Sequence, residues 1–307
     1  MEKALRNRLT FGPLMLAALF LLLWLDDAAQ RWTRPWMETR YRAQGFRGGI
    51  GGIGILLLLA IVLPLATQEL AILFTAERVR PYRFIATVGS SLLTLHAFLT
   101  QFPPFQPIAA SSLAFIIVFI MLFSALRRAW IRETQEAIVK MAGTVLATLY
   151  LGGLAWFLMA IRVKHSSGYD FHGTTWTILS ILLMVKFTDI GAYFGGRAFG
   201  RRKLIPWLSP GKTWEGLAFG LLTAGVVGAI CSGNGAWLPH VPWWKGFIFG
   251  IIIGGIGQLG DLLESLMKRD AEVKDSGSMI PGFGGILDVI DSPLVAAPFA
   301  YLLFSLF

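Results

Sequence analysis

The sequence of 307 residues predicts an all-α protein, a polytopic transmembrane helix bundle of about nine spans. Composition is the first reason: 55% of the residues are hydrophobic and 15% charged, with a mean hydropathy of +0.64. Soluble domains hold about 45–50% apolar and about 25% charged residues. Block length is the second: apolar residues come in runs of 17 or more, long enough for a helix to cross a hydrocarbon core of about 30 Å. Charge placement is the third, because the basic residues behind the net charge of +9 sit in short stretches between blocks. That pattern belongs to loops drawn to anionic lipid rather than to nucleic-acid binding. A soluble enzyme, a disordered chain and a fibrous repeat are excluded.

The expected spans are 9–25, 50–74, 84–102, 108–126, 141–161, 174–194, 215–232, 245–265 and 286–307. The first follows a basic stretch, Met1 to Arg8, and looks like a signal peptide. It lacks a small-x-small cleavage site before Asp26, so it reads as retained. It is short and contains Pro13, so it could lie along the surface, leaving eight spans. The second opens on the glycines of residues 48–54, a G-x-G-x-x-G match with Glu69 twenty residues on. No strand precedes it and a span follows, so close helix approach explains the glycines better than a dinucleotide. The next three spans hold few ionisable groups. The seventh follows Ser209-Pro210-Gly211-Lys212-Thr213, which ends like a P-loop. Pro206 stands where that motif needs its first glycine, so the P-loop reading fails. Two regions emerge, an N-terminal transmembrane region over 1–173 and a catalytic one over 174–307.

With nine crossings, eighteen of the 27 basic residues share the side of the N-terminus and of loops 75–83, 127–140, 195–214 and 266–285. The positive-inside rule makes that side cytoplasmic. The stretch 26–48, with Arg31, Arg34, Arg40, Arg42 and Arg47, strains the rule unless the first block stays on the surface. Cys231, the single cysteine, lies within an apolar block and allows no disulfide within the chain.

Chemistry concentrates in the second half, where charges stand at or inside span ends; such charges mark a site by default. Lys186 and Asp189 are three apart and share a helix face, ahead of Arg197, Arg201, Arg202 and Lys203. Ser209 to Gly216 offers hydroxyls on Ser209 and Thr213, the charge of Lys212, and a helix start that favours an anion. Asp261, Glu264, Ser265 and Lys268 fall on one helical stripe, and Asp288 and Asp291 repeat its i, i+3 spacing. Two facing acidic stripes make an oxygen-rich site for a hard cation such as Mg²⁺. The four histidines, His96, His165, His172 and His240, are scattered and form no cluster. Together these features suggest phosphoryl or nucleotidyl transfer at a membrane surface.

At these residues the chain resembles the phosphatidate cytidylyltransferase (CDP-diacylglycerol synthase) family. The family's closing motif is matched at the required spacing by Ser265, Lys268, Arg269, Lys274, Asp275, Gly277, Ile280, Pro281, Gly284, Gly285, Asp288 and Asp291. Asp189 with Ala192-Tyr193, and the run Ser209 to Gly216, look like two upstream family segments, so the likeness covers about 174–292. Phe283 and Val289 depart from it, standing at the family's His and Arg positions.

The resemblance implies that CTP and phosphatidate give CDP-diacylglycerol and pyrophosphate, with Mg²⁺ as cofactor and the number of cations open. It implies metal ligands at Asp261, Asp288 and Asp291, and a catalytic set of Asp261, Asp288, Lys212, Lys268 and Asp275. Substrate and phosphate binding fall to Ser209, Thr213, Arg269, Lys274, Ser265 and Asp189. It further implies a homodimer in a bacterial cytoplasmic membrane, with the site loops facing the cytoplasm. The alternatives are a CTP-dependent lipid kinase, a cytidylyltransferase for another lipid phosphate, and an ion-coupled transporter. Product identity separates the enzymes, and a transporter's coupling site lies nearer the bilayer midplane.

Overall fold

The computed structural model describes residues 2–46, 48–76, 78–163, 175–233, 237–238, 241–282 and 284–306, with residues 2–9 as backbone only. Each expected apolar block is helical. The helices are α1 (Glu2–Arg40), α2 (Ile53–Ala76), α3 (Arg83–Leu99), α4 (Ala109–Trp130), α5 (Ala137–Thr148), α6 (Leu154–Val163), α7 (Thr175–Phe199), α8 (Trp214–Ile230), α9 (Trp243–Asp270) and α10 (Leu287–Leu306). A π-helical turn, Leu149–Gly153, joins α5 and α6 into one span. Seven helical segments among the described residues are long and apolar enough to cross a membrane. α3 and α8 are apolar but shorter, at 17 residues each, or about 26 Å. The protein is an all-α, polytopic membrane protein. A single hairpin, β1 (Lys203–Ile205) against β2 (Ser209–Thr213), interrupts the helices and was not foreseen.

Residues 26–40, expected in a loop, instead prolong α1. The reason is local: Asp27 pairs with Arg31 at 3.0 Å and Arg34 with Glu38 at 2.7 Å, both at i, i+4. Such pairs each favour a helix by a few tenths of a kcal/mol. The chain turns only beyond Arg40, where Gly45 adopts φ 71°.

By packing, the chain divides into two units. One comprises α1 to α6 with the segment Asp270–Val289; the other comprises α7, the hairpin, α8, α9 and α10 from Ile290 onward. The division expected at 173/174 separates regions by chemistry, and this one differs from it over residues 165–173 and over Asp270–Val289.

In the first unit, Leu63, Leu70, Leu93, Leu151 and Met159 are fully buried. Through their midst runs a polar clasp. Arg162 of α6, 1% exposed, places Nε 2.6 Å from Asp26 Oδ2 of α1 and donates from Nη2 to Gln30 Oε1 at 2.8 Å. Asp26 Oδ1 accepts the N–H of Gly54 at 2.9 Å, and Gly51 exchanges two hydrogen bonds with the Gln101 amide at 3.0 and 3.1 Å. This is why the 48–54 run is glycine-rich. A Cβ on Gly49, Gly51 or Gly54 would collide with the Gln30 backbone, the Arg162 guanidinium or Leu22 O, respectively.

In the second unit small residues bring backbones together, as membrane helices require. A Cβ on Gly220 of α8 would stand 2.7 Å from Thr188 O of α7, and one on Gly260 of α9 would stand 2.9 Å from Ser292 Cα of α10. Ile181, Met184, Phe249 and Ile253 fill the core, with the Phe249 and Phe304 rings 4.7 Å apart. Close contact is what lets short acidic side chains from three helices meet.

Removing one partner of a buried ion pair costs about 3–5 kcal/mol, because a charge is left unanswered. Arg162→Met is therefore expected to lower thermal stability in detergent markedly. Adding Asp26→Leu to Arg162→Met should recover part of the loss, as read from the melting temperatures of the single and double variants.

Candidate active site

The site is built wholly within the second unit. The hairpin pairs Lys203 with Thr213 and Ile205 with Ser209, and β2 runs directly into α8. Thr213 is extended, at φ −129°, so its side-chain oxygen accepts the N–H of Gly216 at 3.1 Å and caps the helix. The N–H of Trp214 is also engaged, donating to Arg202 O at 3.0 Å. At the start of α8, which the sequence suggested as an anion-favouring end, the N–H groups of Trp214 and Gly216 are thus engaged by the chain itself.

Lys212, one residue before the cap, reaches across to Asp261 of α9, with Nζ and Oδ2 2.5 Å apart. A cavity of about 420 Å³ opens there, lined among others by Asp189, Tyr193, Lys212, Thr213, Gln258 and Asp261. That volume lies within the range of small-molecule sites. Asp189 of α7 accepts from Gln258 Nε2 at 2.6 Å, and its carboxylate feels the charges of Lys186, Asp261 and Lys212.

Asp261 also belongs to a carboxylate trio. One oxygen each from Asp261, Glu264 and Asp291 lie within 4.8 Å of one another. Glu264 is 1% exposed and Asp291 3% exposed, so two of the three carboxyls are withdrawn from solvent. Ionised carboxylates only accept, so acids gathered this closely call for a cationic partner. The donor set is all oxygen, which suits a hard divalent cation. Lys268 backs the trio, 3.1 Å from Glu264 Oε2, and Lys186 acts on Asp291 through its charge.

The expected site residues are thus distributed unevenly. Asp189, Lys212, Asp261, Lys268 and Asp291 form one connected network. Ser209 is half-buried in β2, Ser265 half-buried on α9, and Arg269 Nε lies 3.5 Å from Leu208 O. Lys274 and Asp275 are exposed residues of the first unit. Asp288, also of the first unit, is not in the trio; its Oδ2 accepts from Ser276 N, Ser276 Oγ and Gly285 N at 3.2, 3.0 and 2.7 Å. Glu264, named in the acidic stripe but not among the ligands the resemblance implies, and Gln258, not singled out at all, both lie three residues from Asp261 on its own helix. Phe283, at the family's His position, lies outside the described residues, as do His165, His172, His240 and Arg47.

Residues 49–307 match the model of the Cytidylyltransferase family. The chain belongs to that family. Among its relatives, the phosphatidate cytidylyltransferase of Bacillus subtilis (strain 168) is 42% identical over 162 residues, 53% of this chain and 57% of the relative. The enzyme of that name from Haemophilus influenzae is 42% identical over 144 residues, 46% of this chain and 50% of the relative. The chloroplastic phosphatidate cytidylyltransferase 5 of Arabidopsis thaliana is 32% identical over 241 residues, 72% of this chain and 57% of the relative. The chain spans between half and three-fifths of the length of these curated relatives.

A divalent cation held by the trio should raise the melting temperature of the purified protein by linkage. Titration with Mg²⁺ or Mn²⁺ is expected to show this, and Glu264→Gln should weaken the apparent affinity by about tenfold or more. An unaltered titration in that variant would remove Glu264 from the ligand set.

Proposed function

We propose that the protein is a phosphatidate cytidylyltransferase, converting CTP and phosphatidate into CDP-diacylglycerol and pyrophosphate with Mg²⁺. The observation that carries this reading is that Asp261 is shared. It pairs with the cavity lysine Lys212 and also belongs to the trio with Glu264 and Asp291. A phosphate-binding cation and a hard-metal site are thereby joined at one carboxylate, as phosphoryl-group chemistry requires. The names of the relatives point to the same reaction.

In this reading Asp261, Glu264 and Asp291 hold Mg²⁺, which when bound neutralises phosphate charge and polarises the reacting phosphorus. Lys212 supplies a point charge to the CTP phosphates at the cavity. Gln258 orients Asp189, and Lys268 holds Glu264 in place. An oxygen of the phosphatidate phosphate forms a bond to the α-phosphorus of CTP while the bond to the bridging oxygen of the β-phosphate breaks, and pyrophosphate leaves with that electron pair. The attacking phosphate is already ionised near neutral pH, so no strong general base is needed. Roles for Ser209, Thr213, Ser265, Arg269, Lys274, Asp275 and Asp288 rest on the motif alone. The excess of basic residues on one side supports cytoplasmic placement of the site loops in a bacterial inner membrane, and the family likeness supports a homodimer.

The deciding assay uses purified protein with phosphatidate, labelled CTP and Mg²⁺. CDP-diacylglycerol with matching pyrophosphate is expected; CDP with a newly phosphorylated lipid would instead make the protein a lipid kinase. Loss of a metal ligand forfeits several kcal/mol of charge stabilisation, so Asp261→Asn should lower kcat by about 100-fold or more while the protein still inserts and folds. Val289→Arg, which restores the family residue, is expected to leave turnover equal or higher in the same assay. Strong inhibition would show that the chain has rebuilt this position.

A further inference from the structure

α2 is an apolar span, yet it carries Glu69, 2% exposed. An ionisable group kept inside such a helix points to a task. Its carboxylate serves one segment. Oε1 accepts the N–H of Ile286 at 3.0 Å, while Oε2 accepts the N–H of Leu287 at 2.8 Å and Ser276 Oγ at 3.3 Å. α10 begins at Leu287, so Glu69 supplies from another helix a cap for its otherwise unsatisfied first N–H groups.

Ser276 Oγ lies between two acids. It is also 3.0 Å from Asp288 Oδ2, the oxygen that accepts the N–H of Gly285. The hydroxyl has one proton and two carboxylate acceptors in reach, so Glu69 and Asp288 compete for it and are coupled through it. The surrounding glycines leave no slack. A Cβ on Gly277 would stand 2.5 Å from Glu69 Oε1, and one on Gly285 would stand 2.5 Å from Glu69 Oε2.

We propose that Glu69 is a positioning residue for the transfer reaction: it fixes Ser276–Ile286 and the first turn of α10, and through Ser276 it orients the Asp288 carboxylate. This rests on the cytidylyl transfer proposed above. The segment it holds carries the closing motif, and Asp291 follows Asp288 by three residues in the same helix. Glu69 touches no reacting atom in this scheme; it acts through Ser276 and the backbone of α10.

The test compares Glu69→Gln, Glu69→Asp and Ser276→Ala with the unmodified full chain in lipid nanodiscs, by two readouts. Hydrogen exchange over 276–290 reports the cap without any assay of activity. In Glu69→Gln an amide NH₂ must face backbone donors, so exchange should speed up by about tenfold, and kcat should fall by about 10–100-fold with KM for CTP within about twofold. Glu69→Asp, which retains the carboxylate, should recover part of both. Unchanged exchange, or a normal kcat despite faster exchange, would overturn the proposal. If Glu69→Gln does not fold, Ser276→Ala decides: a reduced kcat supports the coupling and a normal one overturns it. An unmodified chain that makes no CDP-lipid counts against the reaction, and exchange then still decides whether Glu69 holds the segment.

Discussion

Charge inside apolar helices must be answered within the protein, and that requirement governs this structure. A charge at the centre of a membrane helix costs about 2.5–3.5 kcal/mol on an insertion scale. In the second unit Asp189, Asp261, Glu264 and Asp291 are met by Lys186, Lys212 and Lys268 on α7, β2 and α9. These side chains reach one another only because the backbones are close. Thr188 O lies against Gly220, and the start of Ser292 lies against Gly260. A larger residue at either glycine would move α8 or α10 outward and part the acids from the lysines. The small-residue contacts are therefore as much a part of the site as its charges. The first unit obeys the same rule with different residues, Asp26 and Arg162 answering each other and Glu69 answering the start of α10.

Much of this was legible in the sequence because membrane helices follow a strong physical signal. An apolar run long enough to span has almost no alternative to a helix, since lipid offers no partner for its backbone. Residues 26–40 escaped that logic. They are polar enough to resemble a loop, and their helicity depends on i, i+4 pairs that hydropathy does not register. The acidic stripe from Asp261 to Lys268 was visible from its spacing, but which acids converge is a matter of helix rotation. Asp288 and Asp291 look equivalent in sequence; in the structure Asp291 meets Asp261 and Glu264, whereas Asp288 is engaged by Ser276 and Gly285. Glu69 carries no local signal of its role, because its partners lie more than two hundred residues away.

The hairpin shows how a motif can mark a location while its chain engages part of the device it suggests. Gly211, Lys212, Thr213 and Gly216 border the cavity, yet at the start of α8, expected to bind an anion, the N–H groups of Gly216 and Trp214 are taken by Thr213 and by Arg202 O. Their engagement has a consequence. With those N–H groups engaged, Lys212 is the one lysine or arginine among the described residues lining the cavity. Its partner in the structure is a carboxylate that also belongs to the metal-capable trio.

In the proposed reaction that shared carboxylate would set the electrostatics of substrate binding. Four carboxylates stand against three lysines in the network, so it carries an excess of negative charge when all are ionised. A nucleoside triphosphate adds several more negative charges in a setting where water screens them poorly. Lys212 alone cannot answer both Asp261 and a polyphosphate. Among these seven residues positive charge is insufficient to receive the nucleotide proposed above, and the deficit falls where three carboxylate oxygens converge. A divalent cation there would release Lys212 from its double duty and let it turn from Asp261 to the phosphate. In the proposed reaction the closeness of Lys212 to Asp261 is a resting arrangement, and cation and nucleotide binding would be thermodynamically coupled through one side chain.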